Sequence, residues 1–340
     1  MAGLISRRVF PFLQLTRIAL VFTAISNSLC TLFLWTYRRT GNPVIAHVSA
    51  RECFAIIFMS TGLYGFGMSL NDIIDRRRDE SISPNRPLPS GRIGVATAHI
   101  VCAFLIAMAI VADALYVQLS AQGWISMVLL LFTGALIVFY DYAAKYLVAV
   151  GLLSLGLIRF FHAVVPAPQM PLVWQPLLLL NHVTLLSLVA YRWEEKRPAL
   201  TPIHWWLVPG ALAVIDALLI ALIAWRRATR MGPETTLAQA LWITPALIAP
   251  AAAAIVFVLL AWFIRRRSAT PREAGQRLML YGLLWLILYD ALFVAGYVGW
   301  LPAAILIGLL PLAYASVQVM RWWGGVVALS QRPAFKRVEL

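Results

Sequence analysis

At 340 residues, 61% hydrophobic and only 12% charged, the chain departs from the balance of a soluble globular domain. Its mean hydropathy of +0.81 indicates a polytopic membrane protein. The net charge of +14, from 28 basic and 14 acidic residues, suggests no nucleic-acid partner, because the arginines sit between apolar segments rather than in one basic stripe.

In chain order, stretches long enough to cross a bilayer, at about 20 residues each, run over 15–36, 47–70, 95–117, 123–140, 146–166, 172–191, 205–225, 240–264, 278–298 and 300–320. The last pair could merge, or one of the two could be re-entrant. The expected fold class is therefore all-α: a polytopic membrane bundle of about nine or ten helices around a central cavity, with no long polar linker dividing residues 1–340 into separate domains. Arg7 and Arg8 precede the first apolar run, which lacks a small-residue cleavage site and reads as a retained span.

Cys30, Cys53 and Cys102 lie far apart in apolar segments without metal-ligand spacing, and buried thiols are expected. With the N-terminus in the cytoplasm, the basic clusters at 76–92, Lys145, 192–197, 265–277 and the C-terminal tail share the cytoplasmic side. Arg38, Arg39, Arg51, Arg226, Arg227 and Arg230 fall on the other side and run against the positive-inside bias. A bacterial inner membrane, with the chemistry in the cytoplasmic loops, is the expected location.

The second span ends in Asn71-Asp72-Ile73-Ile74-Asp75-Arg76-Arg77-Arg78-Asp79. Charge at a membrane boundary is costly and points to function. On a continuous helix Asn71, Asp75 and Asp79 stack at i, i+4 and i+8, with Asp72 beside them, as an oxygen cage for a hard cation such as Mg²⁺. Asn85-Arg86-Pro87-Leu88-Pro89-Ser90-Gly91-Arg92 follows as a tight connection, adding Arg86 and Arg92 next to the carboxylates. Carboxylates flanked by guanidinium groups suit a metal-bound diphosphate. Gly62, Gly65 and Gly67, just upstream, predict close helix packing.

NDIIDRRRD followed by NRPLPSG resembles the first aspartate-rich motif and loop of the UbiA superfamily of intramembrane prenyltransferases. Tyr140-Asp141-Tyr142-Ala143-Ala144-Lys145, with Gly151, Gly156 and Arg159 beyond, is similar to the segment joining the fourth and fifth spans of that family. The resemblance implies transfer of a prenyl group from a Mg²⁺-bound polyprenyl diphosphate to a lipid-soluble acceptor, an aromatic ring or another isoprenoid-accepting nucleophile. It implies catalytic roles for Asp75, Asp79 and Lys145, metal contacts from Asn71, Asp72, Asp75 and Asp79, and diphosphate contacts from Arg86, Arg92, Lys145 and Arg159. From the residues alone, Lys145 suits either phosphate or a snorkelling position at the interface. Tyr64, Phe66, Tyr140 and Tyr142 are candidates to stabilise an allylic carbocation, against ordinary span packing.

The family's second aspartate-rich motif is replaced here by Ala190-Tyr191-Arg192-Trp193-Glu194-Glu195-Lys196-Arg197-Pro198. Glu194 and Glu195 are the remaining metal candidates, with Arg192 as a further diphosphate contact, but adjacent positions on a helix diverge by about 100°. That departure leaves open a UbiA-like protein that binds or moves an isoprenoid lipid without transferring it. A third reading, an unrelated transporter, would make Asp113, Asp216 and Asp290 pathway residues. His162 and His182 have no ligand partner at metal spacing and are read as interhelical hydrogen-bonding groups.

Overall fold

A computed structural model describes residues 10–120, 123–170, 172–231 and 236–330. The expectations for Arg7, Arg8 and the C-terminal basic tail lie outside these residues. Every described element is helical. The long helices are α1 (Val21–Thr40), α2 (Ala50–Ile74), α3 (Val95–Leu119), α4 (Ile125–Tyr142), α5 (Val148–Val164), α6 (Trp174–Trp193), α7 (His204–Met231), α8 (Ile248–Arg267), α9 (Pro271–Tyr297) and α10 (Leu309–Ser330). Among the described residues eight helices are long and apolar enough to cross a membrane, with α5 a shorter apolar helix, and the chain is an integral membrane protein.

Boundaries differ from the sequence expectation where polar caps and prolines set them. Ser49 caps α2 reciprocally with Glu52, and Thr270 accepts from the Glu273 backbone N–H with Pro271 at the first helical position of α9. The stretch expected over 240–264 begins instead as a short helix, Leu237–Ala240, and a 3₁₀ turn, Pro245–Leu247, before α8. The final stretch is a short helix, Trp300–Ile307, followed after Gly308 by α10.

Glycines set the α2–α3 contact. A Cβ at Gly62 would sit 2.5 Å from the Leu105 carbonyl oxygen and 2.8 Å from the Ala109 nitrogen, so the two backbones touch there. A Cβ at Gly67 would lie 3.3 Å from the Ile137 side chain of α4. The chain alternates direction, so the start of α1, the ends of α2 and α4 and the start of α5 share one face. The ends of α1, α5 and α7 share the other.

Several carboxylates and histidines inside the bundle find hydrogen-bond partners on neighbouring helices. Asp290 of α9 accepts from Ser26 (2.7 Å), Asn27 (2.7 Å) and Gln175 (2.8 Å). Asp113 accepts from Ser126 at 2.7 Å, and Asp216 from Asn181 at 2.8 Å. Each of these carboxylates has its own hydrogen-bond partners, and among the described residues no hydrogen bond joins one carboxylate to another. His162 meets Ser60 at 3.2 Å, and His182 lies 3.0 Å from the Gly282 carbonyl and 3.1 Å from the Tyr289 hydroxyl.

Gly62→Ala is expected to destabilise the protein by ~1–3 kcal/mol, because rigid backbone rather than a flexible side chain meets the added methyl. Gly210→Ala in α7, where a Cβ meets nothing within 4 Å, is expected to be neutral or stabilising. Thermal unfolding of the two variants in detergent checks the contrast.

Candidate functional site: an acid cluster held by cations

Helix α2 ends at Ile74, and Asp75 joins it to a short helix, Arg76–Ile82. Asp75 has φ −77° and ψ 0°, and its N–H still bonds to the Asn71 carbonyl. The helical stacking expected of Asn71 and Asp75 is therefore present: Asn71 Nδ2 donates to Asp75 Oδ2 at 3.2 Å. Past this joint the short helix carries Asp79 to a different partner.

Two carboxylate pairs result, each bridged by one cation. Lys145 Nζ lies 2.8 Å from Asp75 Oδ1 and 3.5 Å from Asp141 Oδ1, and Asn71 Nδ2 also donates to Asp141 at 2.8 Å. Arg86 bonds Asp79 and lies 3.7 Å from Asp72, whose Oδ1 also accepts from Arg17 at 2.9 Å. The Lys145 side chain is only 9% exposed, so it turns inward rather than snorkelling. The turn that carries it, Ala144–Tyr146, packs on Gly151, where a Cβ would lie 2.9 Å from the Ala144 carbonyl.

The Asn85–Arg92 loop is folded on itself. Ile93 N–H reaches the Pro87 carbonyl at 3.1 Å, and Gly91 adopts φ +69°, a left-handed conformation that glycine takes without strain. Arg92 is used in holding the loop, donating to Ser90 at 3.0 Å, to Gln14 at 2.9 Å and to the Asn85 carbonyl. Arg17, Asp72, Arg86, Arg92 and Arg321 line a cavity of about 640 Å³ beside the cluster. Its size lies within the range of small-molecule sites.

Arg159 lies deeper. It donates to Asn27 at 3.2 Å and Thr23 at 3.0 Å, with its guanidinium 5.7 Å from the centre of the Tyr64 ring. No described hydrogen bond or ion pair joins it to the acid cluster. Of the other aromatic candidates, Phe66 is buried in the core, Tyr140 is half-buried and Tyr142 is exposed on the bundle surface.

The 192–197 segment stands apart. Glu194 pairs with Lys196 at 3.1 Å and packs on Gly275, while Glu195 is exposed with φ 52°. Arg192 is exposed at the end of α6. Among the described residues, no hydrogen bond or ion pair links this segment to Asp75 or Asp79.

Two groups of the cluster were not singled out from sequence. Asp141 carried a legible signal, its i, i+4 spacing to Lys145. Arg17, 55 residues from Asp72, carried none.

Asn71, Asp72, Asp75, Asp79 and Asp141 supply hard oxygen donors, which fit Mg²⁺ in kind. Among the described residues no three His, Cys, Asp or Glu converge on one metal position. The carboxylates are instead paired around Lys145 and Arg86.

Lys145→Met should leave Asp75 and Asp141 facing each other without a cation, costing on the order of 3–5 kcal/mol. Breaking the exposed Arg76–Glu80 pair, at 3.9 Å, should cost ~0–1 kcal/mol. Unfolding in detergent with EDTA tests this, and adding Asp75→Asn to Lys145→Met should recover part of the loss.

No protein-family model matches the chain, and no curated protein matches it in sequence. Solved structures do match in fold. A digeranylgeranylglyceryl phosphate synthase aligns with a TM-score of 0.54 at 18% identity, over 85% of this chain and 98% of that one. A UbiA homologue from Archaeoglobus fulgidus, bound to GPP and Mg²⁺, aligns with a TM-score of 0.52 at 15% identity, over 84% of this chain and 99% of that one. With the aspartate-rich end of α2 at one mouth of the bundle, the chain has the fold of the UbiA superfamily.

Proposed function

We propose that the protein is an intramembrane prenyltransferase of the UbiA superfamily, working on a polyprenyl diphosphate with Mg²⁺ from the cytoplasmic face. The observation that carries this reading is the cation-bridged acid cluster: Lys145 between Asp75 and Asp141, Arg86 between Asp79 and Asp72. Such an array can exchange partners. A diphosphate would take Lys145 and Arg86, and Asp75, Asp141, Asp79 and Asp72, with Asn71, are the groups that would hold Mg²⁺.

Bound Mg²⁺ would supply neutralisation of the diphosphate and improve it as a leaving group. Lys145 and Arg86 stabilise the charge that develops on the departing oxygen as the allylic C–O bond breaks and its electron pair leaves with the diphosphate. Arg17, on Asp72, keeps that carboxylate charged and oriented when Arg86 swings to phosphate. The allylic cation is then captured by a nucleophilic atom of a lipid-soluble acceptor, which loses a proton. Tyr64, with Arg159 beside it, lies two turns below the acid cluster on α2 and would be the aromatic to meet the prenyl group.

A second reading, an isoprenoid-binding protein without transferase activity, is favoured by one observation. Glu194 is engaged with Lys196 and Glu195 is exposed, so the second acidic half of the site is not built in the manner of the first.

Purified protein supplied with Mg²⁺, a panel of prenyl diphosphates and candidate acceptors should release pyrophosphate, and Asp75→Ala should lower the rate about 100-fold or more. Asp75-dependent binding with no turnover against any acceptor supports the second reading. Absence of Mg²⁺-dependent affinity for every prenyl diphosphate rejects both.

A further inference from the structure

On the face opposite the acid cluster, the ends of α1, α5 and α7 and the starts of α4 and α6 enclose a second cavity of about 630 Å³. Its rim carries five arginines: Arg38 and Arg39 from α1, and Arg226, Arg227 and Arg230 from α7. Its walls are apolar, among them Trp35, Leu129, Phe160, Phe161 and Leu172. Ile125 and Leu222, also in the lining, are about half exposed on the surface of the bundle, so the walls continue onto the apolar exterior.

These arginines oppose the positive-inside bias, and the structure gives them little internal compensation. Among the described residues none of Arg38, Arg39, Arg226 and Arg230 forms an ion pair with a carboxylate. Glu52, on the same face, is engaged in capping α2, and Glu234 lies outside the described residues. Arg227 is held by the Gln239 and Ala240 carbonyls at 3.2 and 2.6 Å, and the charges of Arg38 and Arg227 repel. Trp35, one turn before Arg39, also lines the cavity and extends its apolar wall towards the arginines.

An occupant that answers these features carries a negative headgroup for the arginines and hydrocarbon for the walls. We propose that this cavity binds an anionic glycerophospholipid of the leaflet opposite the acid cluster, with its phosphodiester among Arg38, Arg39, Arg226 and Arg230 and an acyl chain along Trp35 and Phe161. The site is separate from the acid cluster and does not depend on transferase activity. A soluble phosphate would leave the apolar walls unused, and a zwitterionic lipid would leave the net positive charge of the rim uncompensated.

The test uses delipidated full-length protein in detergent and phospholipids brominated in the acyl chain, whose bromines quench nearby tryptophan fluorescence. Phosphatidylglycerol should quench with at least tenfold higher affinity than phosphatidylcholine, and Trp35→Phe should remove part of the quenching. Arg38→Gln/Arg226→Gln/Arg230→Gln should lower phosphatidylglycerol affinity at least tenfold, with Asp75→Ala leaving it unchanged. If the triple variant does not fold, Arg38→Gln and Arg230→Gln are each exposed single changes that should lower the affinity severalfold. Equal affinity for the two lipids, wild-type affinity in the arginine variants, or displacement by glycerol 3-phosphate as effective as by phosphatidylglycerol would overturn the proposal.

Discussion

A carboxylate at a membrane boundary must be either solvated or paired, and the acid cluster of this protein is paired. Lys145 joins the end of α4 to the end of α2 through Asp141 and Asp75, and Arg86 ties the returning loop to Asp79 and Asp72. Removing charges from water is repaid only when geometry and hydrogen bonds satisfy the remaining lone pairs. Asn71 does part of that by donating to both Asp75 and Asp141. The same condition makes the cluster responsive to an anion, because any ligand that draws off Lys145 or Arg86 leaves carboxylates that need a new cation.

Close backbone packing brings these groups within reach. Gly62 lets α2 lie against α3, Gly151 seats the turn that carries Lys145, and Gly91 closes the loop that carries Arg86. Deeper in the bundle, Asp290 and Arg159 bind neutral amides and hydroxyls of α1, so the interior holds its polar groups without spending them on the acid cluster. The opposite mouth is different. There Arg38 and Arg39 of α1 and Arg226 and Arg230 of α7 gather around apolar walls, and among the described residues none of the four forms an ion pair with a carboxylate, a charge imbalance that a lipid of the surrounding membrane can correct.

The helical class and most spans were legible because long apolar runs leave few alternatives to a membrane helix. The Asn71–Asp75 contact was legible for a related reason, since i, i+4 neighbours meet on any helix. Asp79 was less so, because the helix breaks at Asp75 and its side chain is claimed by Arg86. Arg17 could not be paired with Asp72 from spacing, as only the tertiary fold brings residues 55 apart together. Lys145 was balanced between phosphate and interface until its burial beside two carboxylates decided its direction. Arg159, expected from the resemblance among the diphosphate contacts, hydrogen-bonds to Thr23 and Asn27, partners that spacing in the sequence could not supply.

The central claim is an exchange: Lys145 and Arg86 hold the carboxylates until a diphosphate takes these cations and Mg²⁺ takes the carboxylates. Calorimetric titration of Mg²⁺ into the purified protein, with and without a non-hydrolysable geranylgeranyl diphosphate analogue, tests it directly. Linkage requires each ligand to raise the affinity of the other by the same factor. The account predicts weak Mg²⁺ binding alone and at least a tenfold gain with the analogue, beyond its gain for the analogue free in solution. Mg²⁺ binding that is tight alone and unchanged by the analogue would contradict it.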